Sequence, residues 1–325
     1  MQEINPLKCK MWSKLGQRGT MFGVAALEIA DNRDDFMILT ADLATLSGLD
    51  RFISNYPQKF LNVGIAEQNM VGIAAGLANE GNMVFATTYA TFISMRSFEQ
   101  VRHYLGYMKS NVKIIGSGAG LVMGMSGNTH YGMEDIAIMR TIPGLVILSP
   151  ADATEAYKMT FAMAEYNGPV YIRLTGGLNN PIVYKDEYTF EIGKANTLKE
   201  GNDVTIIATG TMVYNSLKAA EILEDSGLSV AVIDMHTVKP IDTGVIDKTC
   251  EVSKLIVTIE EHSIIGGLGG AVAEYSNSKN NAPPQLILGI ADSFRPAGDY
   301  NYMLEQNGLQ PDQISKAILE RYKLL

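Results

Sequence analysis

The sequence predicts an α/β protein with two domains, each a mainly parallel sheet covered by helices on both faces. Strand-like apolar runs alternate with helical patterns along the chain, and this alternation is typical of parallel sheets wrapped by helices. A polar stretch containing GGLNNP interrupts the alternation once, between Thr175 and Gly201. A chain of 325 residues, 46% of them hydrophobic, is long enough to bury two cores.

The first predicted domain covers residues 17–180 and follows a lead-in at residues 1–16. Apolar positions at helical spacing predict its first helix, and a buried strand then ends at Asp42. The predicted elements are helix 21–33, strand 35–42, a short helix and loop at 47–58, strand 60–65, a helix from Glu67, strand 83–90, a helix carrying Phe92 and Arg96, strand 113–120, a glycine-rich loop at 123–132, a helix from near Glu134, and strands 145–152 and 169–176.

The second predicted domain covers residues 201–325 and is joined to the first by a linker at residues 181–200. It repeats the strand–helix alternation with a smaller sheet. The predicted elements are strand 202–209, helix 215–227, strands 228–235 and 254–261, a glycine-rich turn at 263–270 opening helix 271–277, strand 285–292 and a terminal helix at 311–322.

Composition excludes several classes of function. The net charge of −9, without a cluster of Lys and Arg, argues against a nucleic-acid partner. No apolar run approaches the ~20 residues of a membrane span, and the first residues lack the apolar core of a secretory signal. Cys9 and Cys250 form no CxxC pair, and the four histidines form no HxxxH pair, so no metal site is predicted. We expect a cytoplasmic protein.

One carboxylate stands between a predicted strand and a glycine-bearing helix. Glu67 opens that helix, and Gly72 and Gly76 lie on one of its faces. Glycines at this spacing cost helix stability unless another backbone packs against them, so we expect close packing there. A carboxyl buried near such an interface is suited to proton exchange near neutral pH. An acid that only complements the helix dipole is the alternative.

Two further features have side chains that carry chemistry. His130 lies in a glycine-rich loop after a strand, where catalytic side chains often project. Phe92, with Tyr89 three residues before it, could offer an aromatic face to a heteroaromatic ring, although both residues also suit a core. The turn GGLGG at 266–270 lacks the G-x-G-x-x-G spacing of a dinucleotide site, so tight strand-to-helix turns explain its glycines better.

In combination, five segments resemble the C-terminal half of the transketolase family, in the version encoded as two polypeptides. The segments are NVGIAEQNMVGIAAGLA (62–78), TTYATFISMRSFEQVR (87–102), THYGMEDIAIMRTIPG (129–144), VAVIDMHTVKPID (230–242) and TIEEHSIIGGLGG (258–270). The resemblance runs from about Arg18 to the end. It implies a pyrimidine-binding domain followed by a C-terminal domain, and hence an enzyme that transfers a two-carbon ketol unit from a ketose to an aldose.

The resemblance also implies site residues. Glu67 would share a proton with the aminopyrimidine of thiamine diphosphate, and Phe92 would stack on that ring. Arg96 matches an arginine just beyond, and Tyr89 lies beside the same site. His130 matches the histidine that faces the donor hydroxyls. Asp42 matches an acid near the cofactor, with a less definite role.

A separate chain must supply the rest of the site if the resemblance holds. The GDG…N motif that binds magnesium in the other half of the family does not occur in this sequence. We therefore expect an N-terminal partner subunit to hold the diphosphate with Mg²⁺ or Ca²⁺, and an α2β2 heterotetramer with two sites.

The sequence departs from the family where sugar phosphates bind. Gly118 stands where a phosphate-facing histidine is usual, Ser126 where an aspartate reads the acceptor 2-hydroxyl, and Gly176 where an arginine binds phosphate. Arg18 lies near another expected arginine, out of register, and His262 is a further candidate for the pocket. The loss of a guanidinium and an imidazole weakens phosphate capture. We expect an altered sugar pocket for a branched, sulfonated or nonphosphorylated sugar.

Three alternatives remain open on the sequence. A 1-deoxyxylulose-5-phosphate synthase carries similar motifs but normally fuses both halves in one chain. The β subunit of a 2-oxoacid dehydrogenase E1 shares the architecture but lacks a close match to the loop at 129–140. A non-enzymatic binding module is disfavoured because Glu67, Phe92 and His130 are all present.

Overall fold

The computed structural model describes residues 2–325 and contains two sheets flanked by helices. The helices are α1 (Pro6–Thr20), α2 (Ala26–Asn32), α3 (Asp50–Asn55), α4 (Glu67–Asn79), α5 (Phe98–Gln100), α6 (Asp135–Arg140), α7 (Ala153–Glu165), α8 (Met212–Asp225), α9 (Thr243–Val252), α10 (Leu268–Ser276), α11 (Tyr300–Gln306) and α12 (Pro311–Tyr322). The strands are β1 (Phe36–Thr40), β2 (Phe60–Asn62), β3 (Met83–Tyr89), β4 (Val112–Ser117), β5 (Val146–Leu148), β6 (Val170–Arg173), β7 (Asn196–Lys199), β8 (Val204–Ala208), β9 (Val230–Asp234), β10 (Thr237–Lys239), β11 (Leu255–Ser263) and β12 (Gln285–Ile290).

Shorter helical turns of other pitch complete the chain. Wider π-helical turns occupy Met21–Ala25, Phe92–Arg96 and Val101–Tyr107, and 3₁₀ turns occupy Pro57–Lys59 and Gly124–Ser126. Within residues 2–325, no helix has both the length and the apolar character that crossing a membrane requires.

The first sheet has seven strands in the order β10-β5-β6-β4-β3-β1-β2. Every pair is parallel except β10 with β5. Every residue of β3 is buried, as expected for a strand covered on both faces. Because β1, β2, β3 and β4 run in the same direction, the segments that follow them leave from one edge of the sheet. In open parallel sheets this edge is where ligands bind.

The second sheet has five strands in the order β12-β11-β8-β9-β7. All pairs are parallel except β7 with β9. Two mainly parallel α/β domains were predicted from the sequence, and this prediction is confirmed.

The N-terminal segment is a helix, although the sequence predicted only a lead-in at residues 1–16. Asn5 caps α1 by accepting a hydrogen bond from Lys8 N at 3.0 Å, and Pro6 follows as the first helical residue. Trp12 is completely buried and stacks on Tyr157 of α7, with ring centroids 4.4 Å apart. The lead-in is therefore part of the first domain's packing.

The joint between the domains also differs from the prediction. Strand β7 lies inside the predicted linker at residues 181–200 and forms an edge of the second sheet. Strand β10, from the second half of the chain, pairs with β5 at an edge of the first sheet. Edge strands of three or four residues leave little periodicity to detect, so sequence patterns missed both.

Candidate active site

Glu67 is the first residue of α4, directly after the turn that leaves β2. Its side chain is only 3% exposed, and its Oε1 accepts a hydrogen bond from Arg96 Nη1 at 2.8 Å. The Arg96 side chain is 46% exposed. No hydrogen bond to Glu67 Oε2 is made within residues 2–325. One carboxylate oxygen is thus held by a guanidinium, and the other is an unused acceptor.

The glycines of α4 do not pack as the sequence predicted. A Cβ at Gly72 would lie 3.8 Å from the Tyr104 ring, and one at Gly76 would meet no atom within 4 Å. The prediction of close backbone packing at these glycines is therefore wrong within this chain. Gly72 instead lies against an aromatic ring, and Gly76 is exposed.

Three rings meet beside this ion pair. The centroid of Phe92 lies 5.7 Å from that of Tyr89 and 5.6 Å from that of His130, and Tyr89 and His130 are 6.1 Å apart. Arg96 Cζ lies 4.2 Å from the centre of the Phe92 ring. Phe92 and Arg96 share one π-helical turn, a geometry often found at functional sites. The turn therefore links the carboxylate to the ring cluster.

His130 is partly buried at the end of the loop that begins after β4. Its Nδ1 lies 2.9 Å from Thr129 Oγ1, and its backbone N–H donates to Gly127 O at 2.9 Å. Gly127 has a φ of +76°, a conformation that favours glycine. The glycine-rich loop that the sequence predicted around His130 therefore turns this side chain back onto Phe92.

Asp42 lies on the same edge of the sheet but outside this contact group. It follows β1 with a φ of +58°, and its side chain is exposed. The Asp42 Oδ1 accepts from Asn62 Nδ2 at 3.1 Å, and the Asp42 backbone N–H donates to Asn62 Oδ1 at 3.1 Å. These bonds tie the end of β1 to the end of β2, the strand that precedes Glu67.

Arg18 lies in a small cavity next to the ring cluster. The cavity has a volume of about 50 Å³ and is lined by Arg18, Gly118, Val122, Met123, Leu174, Thr175 and Gly176. Burial lowers the pKa of the Arg18 guanidinium, and the nearby Tyr89 opposes this shift. Within residues 2–325 the Arg18 side chain makes no hydrogen bond or ion pair. It is thus a cation without an anionic partner.

Neighbouring side chains fill the space beside the two glycines of this cavity. Gly118 has a φ of +65°, and a Cβ there would lie 2.7 Å from Met123 Sδ. Gly176 has a φ of +69°, and a Cβ there would collide with Asn180 Nδ2. Sequence reasoning noted both glycines but missed Met123 and Asn180, because only the fold shows what occupies the space.

Two other candidates for the sugar pocket lie in different surroundings. Ser126 is exposed in the 3₁₀ turn of the His130 loop. His262 is completely buried between the domains, where its Nε2 accepts from Ala137 N at 3.2 Å and its Nδ1 lies 2.7 Å from Ser263 O. None of the contacts made by His262 is with the three rings, so the structure does not bring it to this site.

The residues present fit a flat heteroaromatic ring with a basic nitrogen. Phe92 is a partly buried aromatic face, and Glu67 Oε2 is an unpaired acceptor next to it. An aromatic face beside a carboxyl group that can share a proton suits the aminopyrimidine of thiamine. No group of three or more metal-ligating side chains occurs within residues 2–325.

The chain matches two domain families. Residues 18–180 match the transketolase pyrimidine-binding domain, and residues 193–314 match the transketolase C-terminal domain. Among solved structures, it is similar to a split-gene transketolase in an inactive beta4 tetramer, with 38% identity and a TM-score of 0.85 over 95% of this chain and 98% of that chain.

Curated relatives, three of them of similar length, carry related descriptions. A transketolase C-terminal section of Methanocaldococcus jannaschii is 42% identical over 93% of this chain and 95% of its own length. One subunit of the apulose-4-phosphate transketolase of Phocaeicola vulgatus is 40% identical over 91% and 95%. A 6-deoxy-6-sulfo-D-fructose transketolase subunit of Clostridium sp. is 40% identical over 90% and 91%. The 1-deoxy-D-xylulose-5-phosphate synthase of Carboxydothermus hydrogenoformans is 37% identical, and the match spans 47% of it.

Proposed function

This chain belongs to the transketolase family, and we propose that it is the C-terminal subunit of a ketol-transferring enzyme whose pyrophosphate-binding domain lies on another polypeptide. The family implies thiamine diphosphate as cofactor. When bound, this cofactor supplies the electron sink that two-carbon transfer between sugars requires. The observation that carries the proposal is the buried Glu67 carboxylate, with one free oxygen, beside Phe92.

In the proposed site, Glu67 holds or releases a proton at the ring nitrogen of the cofactor. The Arg96 guanidinium orients the carboxylate, because it occupies Oε1 and leaves Oε2 for the ligand. The Phe92 ring binds the pyrimidine by stacking, and Tyr89 packs against Phe92 from the side. Exclusion of water around Glu67 strengthens each of these interactions.

His130 is proposed to face the sugar. An imidazole in contact with the rings can hold or pass a proton at a donor hydroxyl. Asp42 is proposed to lie near the thiamine site at the same sheet edge. Its bonds to Asn62 stabilise the chain segment that precedes Glu67.

A partner chain is proposed to cover the surface beside the N-terminal end of α4. Large apolar side chains are exposed on the segments around Glu67, namely Leu61, Ile65, Met95, Tyr107 and Met108. Exposed apolar patches of this kind mark protein interaction sites. The partner would also supply the groups that bind the diphosphate with Mg²⁺ or Ca²⁺, and two copies of each chain would form an α2β2 heterotetramer.

The sugar pocket is proposed to differ from that of ordinary transketolases. Within residues 2–325, Arg18 is the only charged residue that lines the small cavity beside the ring cluster, and Gly118 and Gly176 add no side chain to it. A single guanidinium binds a phosphate dianion less well than several cationic groups do. Ser126 on the His130 loop is a further pocket candidate. A branched, sulfonated or nonphosphorylated sugar fits this charge balance, and the Clostridium relative is named for a sulfonated sugar.

Reconstitution with a pyrophosphate-domain subunit tests the function. The complex should transfer a two-carbon unit without releasing CO₂, whereas 1-deoxyxylulose-5-phosphate synthases and 2-oxoacid dehydrogenases decarboxylate. Glu67→Gln should reduce kcat by about 10²–10⁴-fold, the range for loss of a general acid–base group. Full turnover in this variant would refute the assignment of Glu67. Ordinary efficiency with xylulose 5-phosphate and ribose 5-phosphate would refute the altered pocket.

A further inference from the structure

The second domain contacts the His130 loop at several points. Glu261 Oε1 accepts from Leu121 N at 2.6 Å near the start of the loop, and Ser263 N donates to Met133 O at 2.7 Å near its end. Between them, Asn128 Nδ2 donates to Arg295 O at 3.1 Å. The loop that carries His130 is therefore held on both sides by the second domain.

Among these contact residues, Glu261 accepts three hydrogen bonds through its carboxylate. It lies on β11, is only 1% exposed, and contributes its Oε2 as acceptor to Thr211 Oγ1 at 2.7 Å and to Tyr300 OH at 2.6 Å. Hydrogen bonds to a carboxylate are stronger than neutral ones, and the dry interior strengthens them further. The carboxylate thus joins the loop to α8 and α11 of the second domain.

The loop backbone is shaped to receive this carboxylate. Gly120 has a φ of +70°, and a Cβ at this position would collide with Glu261 Oε1. A side chain at this position would therefore displace the carboxylate from Leu121 N. The close approach explains why glycine is needed one residue before the anchored amide.

We propose that Glu261 is a positioning residue for catalysis, which holds the loop of residues 118–134 so that His130 stays against Phe92. The role rests on the proposed function of His130. The hydrogen-bonded contact between Glu261 and the loop, called the clamp below, does not. The second domain thereby contributes to the active site through this loop.

Hydrogen exchange on the full chain tests the clamp without any activity. In Glu261→Ala, the amides of residues 118–134 should exchange about tenfold faster or more, since hydrogen bonds to a buried charged group are lost. Glu261→Gln should keep most of the protection, because its carbonyl can accept from Leu121 N while the two hydroxyls reorient. If the alanine variant fails to fold, Glu261→Asp takes its place: the shorter side chain keeps the carboxylate but withdraws it from Leu121 N, and loop exchange should again become faster.

Glu260→Ala is a matched control for Glu261→Ala. Glu260 is equally buried, but it accepts from Leu268 N at 2.7 Å and Gly269 N at 2.8 Å within the second domain. Its replacement should speed exchange at α10 and leave the loop protected. Equal loop exchange in the wild type and Glu261→Ala, or equally fast loop exchange in Glu260→Ala and Glu261→Ala, would overturn the proposal.

A second measurement uses the reconstituted enzyme. Glu261→Ala should lower kcat/KM for the donor sugar about tenfold or more, and Glu261→Gln should restore most of it. The affinity for thiamine diphosphate should stay within twofold, because Glu67 and Phe92 lie on other elements. A matching fall in cofactor affinity would show a general structural role and refute positioning. If the wild-type complex lacks ketol transfer, the proposed function fails, while the exchange result still decides the clamp.

Discussion

Glu67 and Arg96 define the chemistry of the site at the scale of single residues. The ion pair joins a buried carboxylate to a guanidinium that is half exposed, and the same guanidinium lies over the Phe92 ring. Arg96 therefore connects the proton-bearing group to the stacking face. A lysine here would keep the charge but lose the planar fork and the ring contact.

Arg18 provides a residue-scale prediction about the sugar. Arg18→Ala should reduce kcat/KM about tenfold to a hundredfold for a substrate with an anionic tail, since a hydrogen bond to a charged group is lost. The kcat/KM for a neutral sugar of the same length should stay unchanged. Arg18→Lys should recover part of the loss, because it keeps the charge without the fork.

Steady-state kinetics of the reconstituted enzyme with matched anionic and neutral sugars would measure this difference. Equal losses for both sugars would contradict an anion-binding role for Arg18 and would indicate a packing role instead.

At the scale of elements, helix α1 shows how tertiary contacts stabilise a segment with weak sequence signals. Its buried residues are Cys9, Trp12, Gly16, Gln17 and Thr20, and Trp12 stacks on Tyr157. Gln17 is also buried, and its Nε2 donates to Pro150 O at 2.7 Å while its Oε1 accepts from Thr175 N at 2.8 Å. The helix therefore packs against the first domain and positions Arg18 near its C-terminal end.

Removal of the Trp12 ring should destabilise the chain. Trp12→Ala should lower the free energy of unfolding by about 3–5 kcal/mol, the range for large-to-small changes of a buried aromatic residue. Leu7 lies on the same helix but is 79% exposed, so Leu7→Ala should change stability by less than about 0.5 kcal/mol. Urea denaturation of the two variants checks this, and similar losses would argue against the packing of α1.

At the scale of the whole molecule, buried acids lie where the domains meet. Asp152 accepts from the backbone of Val183 and Tyr184 at 2.7 and 2.9 Å, and Asp234 accepts from Tyr184 OH at 2.7 Å. Glu155 lies within hydrogen-bonding reach of Asp234. The charged and titratable groups around them are Lys158, Tyr184, Glu187 and Tyr188. Lys158 pairs with Glu187, and within residues 2–325 no cation forms an ion pair with the three carboxyls.

Burial raises the pKa of all three acids. It raises that of Asp234 to about 7 and that of Asp152 to about 6, and it raises the pKa of Glu155 well above its usual range, with the nearby Asp234 adding to the shift. The unfolded chain loses these protons near pH 4, so the native chain binds more protons between about pH 4 and about pH 7. Stability contributed by these groups therefore falls as pH rises through this window.

Glu155→Gln should flatten this dependence. Asp234 Oδ1 has no hydrogen-bond partner, and a glutamine amide can donate to it without titrating. Relative to the wild type, the variant should gain stability as pH rises from about 5 to about 7. His236, whose pKa burial lowers to about 4, acts in the opposite direction but is present in both proteins. Urea denaturation at several pH values measures the difference, and parallel curves would contradict the contribution of Glu155 to this dependence.

The sequence by itself determined the two α/β domains, the family, and the order in which Glu67, Phe92 and His130 occur along the chain. Alternating strand and helix patterns and the glycine-rich loop are local, so they can be read without the fold. The partner subunit, the metal and the sugar stay predictions that rest on the resemblance.

Only the tertiary structure decided which side chains meet. The Glu67–Arg96 pair, the Met123 and Asn180 side chains beside Gly118 and Gly176, and the Glu261 contact with the His130 loop join residues that are remote in sequence or separated by a turn. The same holds for β7 and β10, which are short edge strands that pair across the predicted boundary. Such contacts depend on how sheets and domains pack, and no local pattern of residues records that packing.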